Sequence, residues 1–339
     1  MLHKQLTNMA KSTWLKTSPA FASLSGFPKA PNHYKPGTHY EYKFRQFSVA
    51  ETPGAEFEEF ILETDVVIVG SGCGGAVCAR NIAEAGRKVV VVDKGYYFPP
   101  EQLPMSELQG HTHIFENGGV DMSEDGSSNL VAGSTWGGGG TVNWSASLQT
   151  QDFVRKEWAD EGLTFFESAA FQKCLDRVCE RMGVSTEFIE HNHGNKVLLE
   201  GSRKLGYTAK AVAQNTGGKA HNCGHCTLGC GSGQKQGPVM TWLPDAANAG
   251  AEFVEGFQVD EVVFDESDGI KRAIGVRGTW KGRDNNGRTD GNMSERITRK
   301  VFVKAKKVIV SCGTSWSPVV LMKSGLTVCH ICLSSEIMD

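Results

Sequence analysis

The chain has 339 residues and a formal net charge of −3, with 40% hydrophobic and 22% charged residues. That length allows one large or two ordinary domains with a sizeable core, and the lack of a basic excess argues against nucleic acid as a partner. A run of about 18 apolar residues is absent, which excludes an evident membrane-spanning helix and leaves surface association open.

Residues 1–60 carry Pro19, Pro28, Pro31, Pro36 and Pro53 and read as a loop-rich lead-in. Within them, Tyr40 to Phe44 fits an edge strand. The first twenty residues include Lys4, Lys11 and Lys16 and lack a secretory apolar core. The ten cysteines are therefore expected in a reducing compartment, free or metal-bound.

Asp65–Val69 is a β-branched run that reads as a buried parallel strand. The loop Gly70-Ser71-Gly72-Cys73-Gly74-Gly75 follows at once. Ala76 to Ala85 reads as a helix stopped by Gly86, and Lys88 to Val92 as a second buried strand ending at Asp93. Further along, 151–160, 168–182 and 198–205 read as helices, the last closed by Gly206. Strands are expected within 251–263, 274–280 and 300–310, with a polar turn at 282–291.

A G-x-G-x-x-G pattern alone is weak evidence, but a strand before it, a helix after it and an acid about twenty residues on give it a task. Gly70 permits the tight turn, Gly72 lets the backbone approach a pyrophosphate, and Gly75 allows close helix–strand packing. The helix N-terminus offers free N–H groups, and Asp93 can accept hydrogen bonds from ribose hydroxyls. This loop does not distinguish NAD from FAD.

A second loop runs from Gly133 to Trp144, with four consecutive glycines at Gly137–Gly140. Such a run is costly inside a helix or strand and suits backbone lying against a flat ring or a phosphate. Trp136 and Trp144 flank it and are expected to be buried.

Together, these loops and the segment Gly313 to Leu326 resemble the glucose–methanol–choline (GMC) family of FAD-dependent oxidoreductases. The last segment matches the family's second signature except at its final glycine, which is Thr327 here. The phrases Asn143–Ser147, Val154–Ala159, Cys223–Gly237 and Thr241–Ala246 resemble the long-chain fatty alcohol oxidases within that family. The resemblance implies an α/β fold: an FAD/NAD(P)-binding, doubly wound, Rossmann-like domain over 61–326, with α+β substrate-domain segments inserted at roughly 150–250. It matches FAD contacts to Gly70, Ser71, Gly72, Gly75, Asp93, Gly138, Asn143, Val259 and Gly313. It implies FAD-dependent oxidation of long-chain primary fatty alcohols to aldehydes, with O2 reduced to hydrogen peroxide. The implied partners are the alcohol and O2, with a membrane surface possible and nucleic acid excluded.

The family's catalytic histidine pairs with a second His or Asn in a C-terminal segment that has no counterpart here. Residues 327–339 carry no family pattern and read as an aberrant tail, so a C-terminally truncated, inactive form is expected. His330 lies in that tail and is not expected to be a base. His111 and His113 are expected on a loop, His191 and His193 in a solvated polar stretch, and none of these as a base. The final residues Ile337, Met338 and Asp339 are not a peroxisomal tripeptide; compartment and oligomeric state stay open.

Cys223, Cys226 and Cys230 form a tight thiol group, with His221 and His225 beside it. A metal-free glycine-rich turn is the favoured reading. A zinc or iron–sulfur site, or a redox-active disulfide, is the alternative. Cys312 is expected to be buried near the flavin. The functional alternatives are a non-catalytic flavin-binding fragment, or an electron-transfer module with a cluster at these cysteines.

Overall fold

The computed structural model describes residues 36–48, 59–221 and 224–326, together with residues 7, 10, 11, 14, 18 and 20. Cys223 and the tail 327–339 lie outside the described residues, as does most of the lead-in. The chain divides into two compact units. One comprises Tyr40–Phe98, His111–Thr141 and Trp242–Asp339; the other comprises Met1–His39, Pro99–Gly110 and Val142–Thr241.

The first unit is an α/β sheet. Its elements are β1 (Phe60–Val69), α1 (Cys73–Glu84), β2 (Val89–Val92), α2 (Trp242–Asn248), β3 (Glu252–Val254), β4 (Phe257–Asp265), β5 (Arg272–Lys281), β6 (Thr298–Val310) and α3 (Gly313–Lys323). The strand order is β3–β2–β1–β6–β5–β4. The first four strands run parallel, and β5 and β4 then pair antiparallel beyond β6. An uninterrupted buried strand such as Val89–Val92 is what a parallel sheet covered on both faces requires. β1 starts five residues earlier than its β-branched run, because Phe60 to Thr64 pair with Val301 to Ala305 of β6.

The register decides where the loops emerge. Val69 pairs with both Val92 and Val310, so β1, β2 and β6 end side by side. Gly70, Asp93 and Ser311 therefore leave the sheet at one edge. The carboxyl ends of parallel strands are where ligands bind in open α/β sheets.

α1 buries Gly75, Ala76, Ala79 and Ala83. This small-residue stripe allows the helix to lie close to the sheet. The main core holds Val67, Val69, Val90, Val92, Val254, Phe257, Val262, Val276, Trp280, Val301 and Val303. Tyr40 to Phe44 does not form the expected edge strand; Phe44 makes a single parallel bridge to Phe253.

The second unit is largely helical. Helices span Asp152–Asp160, Ala169–Met182 and His193–Leu205. Ser168 caps the second by accepting from the Phe171 N–H, and Asn192 caps the third by accepting from Asn195. The Asn192 cap explains why the third helix starts five residues before Leu198, and why His193 stands at a helix start rather than in a loop. Gly183 and Gly206 end these two helices in the left-handed conformation.

Candidate functional site

Gly70 has φ +105°, and a Cβ there would stand 2.2 Å from the Ser311 carbonyl oxygen. A Cβ on Gly75 would stand 1.9 Å from the Gly70 carbonyl oxygen. Both glycines are thus required by packing within the fold. Gly72 differs: its φ is −63°, and a Cβ there would meet nothing within 4 Å. A Cβ at Gly139 or at Gly313 would likewise meet nothing within 4 Å. The N-terminus of α1 carries no side-chain cap and no acid in its first turn, which leaves its N–H groups and dipole available to an anion.

Ser71 ties this loop to its surroundings. It is fully buried. Its N–H and its hydroxyl both donate to Asp93 Oδ2, at 2.7 and 2.6 Å. Its Oγ also accepts from the Gly137 N–H at 2.8 Å. Asp93 Oδ1 accepts from the Gly95 N–H at 2.7 Å. Burial raises the Asp93 carboxyl above the ordinary aspartate range, against the lowering effect of the Ser71 and Gly95 bonds and of Lys94.

The second glycine loop lies against the first. A Cβ on Gly138 would be 3.1 Å from Gly72 Cα. Gly139 to Val142 form one helical turn, so the glycine run is not excluded from helix as expected. The adjacent Gly137 and Gly138, with φ +88° and +54°, supply the turn before it. Trp136 is fully buried among Tyr42, Phe44 and Phe253. Trp144, expected to be buried, is 76% exposed.

Gly313 begins α3 with φ +78°. Lys94 Nζ lies 4.1 Å above the Trp316 ring and pairs with Glu116. Cys312 is half-buried, and its Sγ donates to the Val69 carbonyl at 3.5 Å. Burial, with the nearby Asp93 charge, pushes this thiol up to about 11, which keeps it protonated and inert. Val259 is a core residue of β4, two positions beyond Phe257, whose N–H donates to the Asp93 carbonyl at 2.8 Å. His111 and His113 lie in the helix Glu107–His113, not in a loop, and His111 Nδ1 is 2.7 Å from the Gly118 carbonyl oxygen.

Asn143 belongs to the second unit. Its Oδ1 accepts from the Ser145 N–H at 3.0 Å. Its carbonyl accepts from Lys235 Nζ at 2.9 Å. Cys226 and Cys230 are in the same unit and half-buried. His221 Nε2 lies 3.2 Å from Cys226 Sγ. Among the described residues no group of three His, Cys, Asp or Glu side chains is placed to hold a metal ion.

Two features escape sequence reading. The first is the Ser71–Gly137 bridge between the glycine loops. The second is Lys235, 3% exposed, whose Nζ also donates to the Cys226 carbonyl at 2.7 Å. A lysine in a glycine-rich stretch gives no local sign that it will be buried.

The GMC oxidoreductase family profile matches residues 111–333. This chain belongs to the GMC oxidoreductase family. FAD is the family's cofactor and the cofactor of this chain. A long-chain-alcohol oxidase of Arabidopsis thaliana is 36% identical over 277 residues, covering 81% of this chain and 36% of that protein. A second Arabidopsis thaliana long-chain-alcohol oxidase is 38% identical over 268 residues, covering 78% of this chain and 35% of that protein. The chain thus spans about a third of the length of these two relatives. Among solved structures, a formate oxidase of Aspergillus oryzae aligns with a TM-score of 0.45 at 16% identity, covering 78% of this chain and 48% of that one.

Proposed function

We propose that this chain is the FAD-binding portion of an oxidase of long-chain primary alcohols, and that the base for alcohol oxidation is not among its described histidines. The observation that carries the reading is the pair of glycine loops joined through Ser71, within a chain 36% and 38% identical to two long-chain-alcohol oxidases.

The residues fit FAD by the space they leave. A Cβ at Gly72, at Gly139 or at Gly313 would meet nothing within 4 Å, so the backbone at each position can face a ligand. Gly72 and the uncapped N-terminus of α1 would hold the pyrophosphate, with Gly70 and Gly75 keeping the turn. The Gly313 end of α3 supplies a second set of N–H groups. Asp93 accepts from the ribose, and Gly138 brings the second loop onto the cofactor. The Val259 backbone would stand beside the adenine.

Bound there, FAD would supply the acceptor for the alcohol's hydride and the route of its electrons to O2. The chain's own part is to hold the cofactor and exclude water. For the substrate class, the second unit offers a cleft of about 490 Å³ whose lining is mixed, with Trp144, Leu198 and Leu199 beside His191, Asn195 and Lys210. The apolar members of this lining suit an alkyl chain, and the polar ones could hold a hydroxyl end.

The test is the purified 339-residue chain incubated with FAD, then with dodecan-1-ol. The expected result is stoichiometric bound flavin, a change in Trp144 emission with dodecanol and none with glucose, and no peroxide. Protein that binds no FAD overturns the cofactor site. Glucose acting in place of dodecanol overturns the substrate class, and peroxide production overturns the statement about the base.

A further inference from the structure

The cysteine group has no part in the flavin chemistry, yet its side chains are arranged for reactivity. His221 is 8% exposed. Its Nδ1 faces Gln234 Oε1 at 2.9 Å. An amide oxygen only accepts, so Nδ1 carries a proton and the second nitrogen is directed at sulfur. That nitrogen, Nε2, lies 3.2 Å from Cys226 Sγ. Gln234 is itself held, because Ser232 Oγ donates to the same Oε1 at 3.2 Å.

The surroundings are cationic. Lys235 places its buried ammonium on the Cys226 carbonyl, and its N–H donates to Cys230 Sγ at 3.3 Å. His225 is buried nearby in the chain. From residue 201 to residue 244 the sequence contains no aspartate or glutamate, while Arg203, Lys204, Lys210, Lys219 and Lys235 fall within it. A thiol in hydrogen-bond reach of an imidazole, beside a buried cation and far from acids in the chain, ionises readily. In agreement, the Cys226 bond is the main reason that His221 is pushed up to about 9. Cys312 is the contrast within the same protein: burial and the Asp93 charge raise that thiol and outweigh Lys94.

We propose that Cys226, activated by His221, is a hydroperoxide-reactive thiol and a site of redox modification in the second unit. The co-reactant is hydrogen peroxide or an alkyl hydroperoxide. The thiolate attacks one peroxide oxygen, so that an S–O bond forms as the O–O bond breaks. The departing hydroxide or alkoxide takes the proton of His221 Nε2 and leaves as water or alcohol. Sulfur is oxidised to the sulfenic acid and the peroxide is reduced by the same two electrons. The neutral imidazole left behind accepts the hydrogen bond of the new S–OH group. Nothing in this step depends on turnover at the flavin.

The experiment treats the purified chain with micromolar hydrogen peroxide at neutral pH, traps sulfenic acid with a cyclic 1,3-diketone and maps it by peptide mass spectrometry. Cys174 and Cys179, on an exposed helix of the same unit, are the internal references. Cys226 is expected to be labelled at least about tenfold faster than either, and His221→Gln is expected to remove about that factor while the reference thiols keep their rates. Unchanged reference rates report that the variant still folds. If the variant cannot be purified, the comparison of thiols in the unmodified chain decides. Labelling of Cys226 no faster than Cys174 overturns the proposal, as does a rate that His221→Gln leaves intact. One equivalent of metal released from the purified protein by a chelator, with Cys226 unreactive before release, also overturns it.

Discussion

Ser71 and Asp93 are joined twice: the serine N–H and hydroxyl both donate to Asp93 Oδ2, at 2.7 and 2.6 Å. The same hydroxyl oxygen takes the Gly137 N–H. One small side chain therefore fixes the acid at the end of β2 and the second glycine loop to the phosphate loop.

Ser71→Ala removes the side-chain part of this junction and leaves the main-chain bond in place. The Gly137 N–H loses its acceptor in a buried site, at a cost of about 1–3 kcal/mol. FAD affinity is expected to fall about tenfold, with a modest loss of thermal stability. Flavin fluorescence titration and thermal unfolding read the two effects separately. An unchanged affinity would show that the bridge does not position the cofactor.

Gly72→Ala and Gly75→Ala are expected to behave oppositely. At Gly75 the new methyl meets the Gly70 carbonyl oxygen at 1.9 Å, so helix and strand must separate. Destabilisation of about 3 kcal/mol or more is expected, seen as lost soluble expression or a lowered urea midpoint. At Gly72 the methyl enters open space, so the chain folds normally but binds FAD weakly. A Gly72→Ala variant that binds FAD as the parent does would remove the pyrophosphate from this loop.

FAD affinity is expected to depend on pH through Asp93. Burial raises this carboxyl in the folded protein, so below its folded value it is protonated and presents one acceptor fewer. Ribose hydroxyls that donate to it favour the ionised form. Binding is therefore strongest above the raised value and weakens as pH falls through it, toward the ordinary aspartate value of about 4. Equilibrium titrations between neutral pH and the acid limit of solubility measure this. Asp93→Asn is expected to bind weakly at every pH and to lose the slope.

A buried ion pair ties the start of β4 to the segment after β5. Glu255 is 4% exposed and is bonded by Arg283 Nε and Nη2 at 2.7 and 2.9 Å and by the Tyr97 N–H at 2.8 Å. Arg283→Met leaves the carboxylate buried with one partner and is expected to cost about 3–5 kcal/mol. Adding Glu255→Gln to that variant is expected to recover part of the loss. Urea unfolding of the single and double variants gives the coupling.

Sequence alone determined the first strand–loop–helix–strand unit, the helix ends at Met182 and Gly206, and the choice of cofactor. These depend on short-range rules, namely β-branched runs, capping side chains and glycine conformation, or on motifs carried by neighbouring residues. Tertiary structure alone decided which residues meet. Gly70 needs its glycine because Ser311 crosses it, and Ser71 reaches Gly137 across 66 positions of chain. Trp136 is buried and Trp144 exposed although both flank the same glycines. Lys235 sits under Cys226 because the loop folds back on itself. The physical reason is that hydrogen bonds and steric contacts between distant segments depend on strand register and loop path, which residue type and spacing do not encode locally.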